Sequence, residues 1–106
     1  PQDLVRWAQL LYEEDALEKA YMEDLFASGY RGKNRSSEFG LGVYVHETTA
    51  GEAYGHSSAG DGYATNLIYF PKYKVGVCVQ VNRDHGNDLR RYVETLAQVV
   101  LNSIPD

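Results

Sequence analysis

Four blocks decide the fold: Phe39-Gly40-Leu41-Gly42-Val43-Tyr44-Val45, Tyr54-Gly55-His56-Ser57-Ser58-Ala59-Gly60-Asp61-Gly62-Tyr63, Asn66-Leu67-Ile68-Tyr69-Phe70-Pro71 and Val75-Gly76-Val77-Cys78-Val79-Gln80-Val81-Asn82. Apolar, β-branched and aromatic runs separated by Gly, Pro and polar residues read as consecutive antiparallel strands. From Leu41 to Glu47 the residues alternate, with Leu41, Val43 and Val45 on one face. Thr48-Thr49-Ala50-Gly51 is the expected hairpin turn into a strand from Glu52 to Ser58. A third strand covers Ala64 to Phe70, and Pro71 to Lys74 turns the chain again. The fourth, Val75 to Val81, sets four valines on one face and Gly76, Cys78 and Gln80 on the other. Its valines make it the expected most buried strand. The second block is unusual, because it holds a histidine and hydroxyls where a strand ordinarily holds packing residues.

Outward from the strands, Asp3 is placed to cap a helix with Leu4, Trp7, Ala8, Leu11 and Tyr12 on one face. Asp15-Ala16-Leu17-Glu18 has capping-box spacing and opens a second helix with Leu17, Tyr21, Leu25 and Phe26 inward. Residues 28 to 37 are polar and bear glycine, which reads as a loop. At the other end, residues 84 to 88 offer polar caps for a helix carrying Leu89, Tyr92 or Val93, Leu96 and Val99 or Val100, stopped by Pro105. The expected fold class is α+β: two short N-terminal helices, a four-stranded antiparallel meander and a long C-terminal helix packed on the sheet, all in one domain over residues 1–106.

Composition narrows the function. The chain has 106 residues, 43% apolar, with a net charge of −5. Its first 27 residues hold seven acids against Arg6 and Lys19, while the rest carries eight charges of each sign. An acidic chain with no basic stripe is not built for nucleic acid. No apolar run is long enough for a membrane helix. The single cysteine, Cys78, excludes an internal disulfide and leaves the compartment open. Pro1-Gln2-Asp3 has neither the charged start nor the apolar stretch of a signal peptide, and an opening directly on a helix reads as the interior of a longer product. His46, His56 and His85 match no compact ligand spacing, so neither a metal nor a cofactor is expected.

His56-Ser57-Ser58, followed by Ala59-Gly60-Asp61-Gly62-Tyr63, a strand ending in Phe70-Pro71, and Val75 to Val81 with Asn82-Arg83, resembles the third motif of the serine β-lactamase and penicillin-binding-protein superfamily. The likeness is to the branch of class C β-lactamases, D-alanyl-D-alanine carboxypeptidases and esterases, and Asp3-Leu4-Val5-Arg6-Trp7 looks like that fold's helix ahead of its last strands. The resemblance implies the C-terminal part of a β-lactamase-like fold. It also implies site roles. His56 stands where the family has a cationic or hydrogen-bonding group, Ser57 would hydrogen-bond a substrate carboxylate, and Ala59 would offer its backbone N–H to an oxyanion. Ser58 departs from the usual Gly, and its CH2OH projects where substrate approaches the strand.

The rest of the chemistry is missing. The superfamily takes its nucleophile from Ser-x-x-Lys and a second motif from Tyr-x-Asn or Ser-x-Asn. Neither occurs here: Ser57 is followed three later by Gly60, Ser58 by Asp61, and Tyr63-Ala64-Thr65-Asn66 is one residue too long. Three functions are therefore expected in descending order: a hydrolase fragment inactive alone, a free-standing oligomeric module, and an enzyme using His56, Ser57 and Asp61 or Asp84. The implied partner is a second copy, joined through Val75 to Val81 and the C-terminal helix (Leu96, Val100, Ile104), or a companion chain carrying the missing N-terminal part. His56 should lie on an exposed face near Tyr44 or Tyr63.

Overall fold

A computed structural model describes residues 1–13, 16–27, 30–31, 37–83 and 89–105. The elements run α1 (Gln2–Tyr12), α2 (Lys19–Phe26), β1 (Tyr30–Arg31), β2 (Ser37–Phe39), β3 (Tyr44–Thr48), β4 (Gly51–Gly60), β5 (Tyr63–Phe70), β6 (Val75–Val81) and α3 (Leu89–Asn102). All six strands form one antiparallel sheet in chain order. The four-stranded meander is thus β3 to β6. Two short strands extend it at the β3 edge, where the sequence had read a loop; a pair of two and three residues leaves no alternation to detect.

Register fixes which side chains share a face. Tyr44 lies opposite Gly55, Gly55 opposite Ile68 and Ile68 opposite Val77, a continuous row across four strands. Neighbouring parallel rows on that face place His46 beside Ala53, and Ser57 beside Asn66 and Val79. Against it packs α3, whose Val93 and Ala97 join Ala53, Ile68, Phe70 and Val77 in the buried core. Burying a Val or Ile side chain contributes on the order of 1.5–3 kcal/mol, so this seam holds α3 down. Glu94, Gln98 and Asn102 follow one another at helical spacing on α3 and line a cavity with Thr48, Thr49 and Ala50 of the β3–β4 turn.

The other face carries Tyr54, Tyr69 and Gly76 in one row and receives α1 and α2. Tyr12 of α1 stacks on Tyr69 with ring centroids 5.5 Å apart, and Phe26 of α2 sits 4.5 Å from Tyr54. The Tyr69 hydroxyl, buried at the end of this cluster, donates to Glu13 Oε1 at 2.5 Å. Burial pushes the Tyr12 phenol up to about 12. The sheet is therefore sandwiched between the N-terminal helices and α3.

Several local expectations shift. Asp3 lies in the first turn of α1, where its carboxylate favours the helix N-terminus, while Pro1 holds the cap position. The second helix begins at Lys19 after the extended Glu18, later than the capping-box spacing implied; Asp15 lies outside the described residues. β3 starts at Tyr44 because Gly42, with φ 72°, turns the chain and leaves Leu41 67% exposed. The most buried strand is β5, with Ala64, Ile68, Tyr69 and Phe70 enclosed, whereas in β6 only Val77 is buried. Among the described residues β6 ends the sheet, with β5 as its strand neighbour. Its Val77 joins the core with α3, and Val75 and Val79 pack against it.

Candidate functional site

β4 is ten residues long and β3 only five, so β3 stops pairing at Gly55. His56 to Gly60 continue with β5 alone among the described strands. This overhang exposes His56, Ser57, Ser58 and Ala59 together, on a strand whose small side chains leave room above it. Gly55, at the start of the overhang, is required by packing: a Cβ there would lie 2.0 Å from the Leu67 carbonyl oxygen.

Beside the overhang is a cleft of about 460 Å³ between β4, β5 and the first turns of α3. Its lining includes His46, His56, Ser57, Asn66, Arg90 and Glu94. His56, expected on an exposed face near Tyr44 or Tyr63, is exposed, with its ring centroid 5.5 Å from Tyr44 and 6.4 Å from Phe39. Tyr44 also stacks on His46 at 5.7 Å, so one tyrosine separates two imidazoles. Ser57 faces Asn66 across the β4–β5 ladder, and Ala59 faces Ala64. Among the described residues no hydrogen bond joins His56 to Ser57 or to Asp61; Asp84 and His85 lie outside them.

The wall opposite the overhang was not foreseen from sequence. Arg90 Nε donates to Glu94 Oε1 at 2.8 Å, an i,i+4 pair with side chains 55% and 49% exposed. His46 is half-buried, and its Nδ1 is fully enclosed without a hydrogen-bond partner. Burial lowers its pKa and the Arg90 charge lowers it further, while Glu94 opposes both. His46 is thus a neutral imidazole at pH 7. The helical i,i+4 spacing of Arg90 and Glu94 is visible in the chain, but that they meet β3 and β4 is a long-range fact. Among the described residues no three His, Cys, Asp or Glu side chains converge as metal ligands.

A protein-family model described as Beta-lactamase matches residues 1–102. Penicillin-binding protein 4* of Bacillus subtilis (strain 168) is 24% identical over 100 residues, which are 93% of this chain and 22% of that protein. Among solved structures, a D-stereospecific amidohydrolase from Streptomyces sp. superposes with a TM-score of 0.80 at 18% identity, over 89% of this chain and 28% of that one. The D-amino acid amidase from Ochrobactrum anthropi SV3, complexed with D-phenylalanine, gives 0.70 at 18% identity over 98% and 35%. A penicillin-binding protein from Bacillus halodurans gives 0.67 at 19% identity over 82% and 27%. At such identities the structures share the fold, and the chain spans about a fifth to a third of each relative's length.

Proposed function

Because the chain belongs to the beta-lactamase family, we propose that it forms the sheet wall of a serine acyl-transfer cleft and that residues 1–106 alone do not hydrolyse substrate. The observation that carries this reading is the β4 overhang, which sets His56, Ser57 and Ala59 side by side along a cleft. Acyl transfer needs an activated nucleophile, a proton acceptor and donors aimed at the developing oxyanion. In this reading Ala59 supplies a backbone N–H to the oxyanion, Ser57 hydrogen-bonds the substrate, and His56 polarises it from the strand. The nucleophile and general base, absent as Ser-x-x-Lys and Tyr-x-Asn from this sequence, come from further polypeptide of the same fold. Removing nucleophile and base leaves only binding and oxyanion contributions, a small residue of the full rate. The Ser58 side chain narrows the approach to the strand relative to Gly.

Purified chain should hydrolyse a chromogenic β-lactam and a p-nitrophenyl ester at the rate of buffer. Turnover abolished by Ser57→Ala would overturn the reading in favour of a self-contained enzyme.

A second reading, an interaction module without catalysis, is favoured by the outer edge of β6 and by α3. Leu96 of α3 is 43% exposed, and β6 carries valines at alternate positions. An uncovered apolar edge is a pairing surface. The occupant proposed is a second copy joined by a two-fold axis; a companion chain is the alternative. Light scattering at micromolar concentration should give about twice 11.9 kDa. A monomer would reject the homodimer.

A further inference from the structure

The acyl-transfer reading gives no task to His46, whose Nδ1 is fully enclosed and has no hydrogen-bond partner among the described residues. We infer that His46 is a proton-operated latch: neutral, it lets the first turns of α3 seat on the sheet, and charged, it releases them and widens the cleft they wall. The inference concerns the movement of α3 and stands apart from any catalytic role of β4.

The first argument is the chemistry of the ring. A neutral imidazole holds a proton on one nitrogen, whereas an imidazolium holds one on each. Whichever tautomer His46 adopts when neutral, the charged ring therefore has an N–H at Nδ1, where the closed fold offers neither an acceptor nor contact with solvent. Leaving a charged donor buried and unpaired costs more than leaving a neutral group so. The proton therefore binds best to a state in which the ring has come free.

Placement is the second argument. His46 stands on the sheet face that carries α3, opposite the core residue Ala53. It lines one cleft with Leu89, Arg90, Val93 and Glu94 from the first turns of α3. Burial disfavours the imidazolium most, Arg90 acts in the same direction, and Glu94 acts against both. Glu94 is already held by Arg90 Nε at 2.8 Å. From its own strand Tyr44 stacks on His46 at 5.7 Å, and His56 of β4 has its ring 5.5 Å from that tyrosine. β2 pairs Ser37 with His46, a residue without charge.

The third argument is the direction of the linkage. With its folded-state pKa lowered, the seated ring binds fewer protons than the released one below the ordinary 6.5, so release is favoured as pH falls and suppressed above about pH 7. The start of a helix is the part that opens most readily, because its leading N–H groups lack intrahelical partners. Openings of this local kind lie below global unfolding in free energy.

The test is amide hydrogen exchange of the whole chain by NMR at about pH 7.5 and about pH 5.5, with and without low urea, corrected for intrinsic exchange. Val93, Glu94 and Thr95 carry the first α3 amides with a partner one turn back. Their protection should fall several-fold on acidification, and by no more than about tenfold per pH unit for one proton. Their exchange should vary little with urea, while the Ile68 and Tyr69 amides in the centre of the sheet follow the urea dependence of global unfolding. His46→Gln, neutral at both pH values, should abolish the change. Arg90→Gln should shrink it and Glu94→Gln enlarge it, opposite signs at two exposed positions that a packing effect would not give. Protection at 93–95 that is indifferent to pH, a pH effect that survives His46→Gln, the same sign from both α3 variants, or α3 amides that exchange only with global unfolding would overturn the inference.

Discussion

Replacing Gly55 with alanine tests whether the β4–β5 seam, which carries the overhang, has the close approach described. The added Cβ would stand 2.0 Å from the Leu67 carbonyl oxygen, 3.0 Å from its carbon and 3.1 Å from Ile68 Cα. Nonbonded carbon contacts settle near about 3.5 Å, so β5 must retreat by more than about 1 Å. All three atoms are backbone in a ladder of paired residues from Tyr54↔Tyr69 to Gly60↔Tyr63, so no rotamer change relieves the clash. Overpacking of this kind costs about 1–3 kcal/mol, and the rigid neighbours put it in the upper half. Alanine returns about 0.4–1 kcal/mol by restricting the unfolded chain. The net loss is about 1.5–2 kcal/mol, or roughly 6–15 °C in Tm for a domain of this size. Urea and thermal unfolding followed by far-ultraviolet circular dichroism read it directly. Gly76→Ala is the control: its Cβ would meet Val5 Cγ1 at 3.0 Å, a side-chain atom able to rotate away. A Gly55→Ala chain no less stable than Gly76→Ala would refute the close approach of β4 and β5 at this position.

Tyr69→Phe removes a buried hydroxyl that donates to a carboxylate, worth about 1.5–3 kcal/mol when fully enclosed. Because Glu13 is half-buried and recovers solvent, the expected loss is about 1–2 kcal/mol by urea unfolding, larger than for Tyr21→Phe at the 60% exposed Tyr21. His46 has a folded-state pKa below its ordinary 6.5, so the unfolded chain binds more protons in the window just beneath that value. Stability should be level above about pH 7 and fall as pH drops through 6.5, and His46→Gln should remove that part of the slope in urea midpoints between pH 8 and 5. Burial raises the Cys78 thiol, so Ellman's reagent should react slowly with the native chain and rapidly in urea.

How much of this was legible follows from range. The valines at alternate positions in β6 and the spacing of Leu89, Tyr92 or Val93, Leu96 and Val99 or Val100 are local periodicities that located both elements, although the face of α3 that is buried is Leu89, Val93 and Ala97, with Leu96 43% exposed. The His56-Ser57-Ser58 motif located the strand on which the cleft opens. Relative burial was harder than strand order: valine content suggested a buried β6, but burial depends on having neighbours on both sides, and β5 has them. β1 and β2 were hidden because Arg31 and Ser37 carry no strand signal and pairing alone makes them strands. Of the cleft, the β4 side was visible and the α3 side was not. Arg90, Glu94 and His46 acquire their meaning only when α3 crosses the sheet at Ile68 and Ala53, contacts between residues far apart in the chain.

The most direct measurement of the central claim is intact-mass spectrometry of the purified chain after prolonged exposure to a fluorophosphonate and, separately, to a penicillin. Both reagents acylate or phosphorylate an activated serine and ignore an ordinary one. A sheet wall without nucleophile and base should emerge from both at its unmodified mass. A stoichiometric adduct, mapped to Ser57 or to any other serine of these 106 residues, would contradict the account.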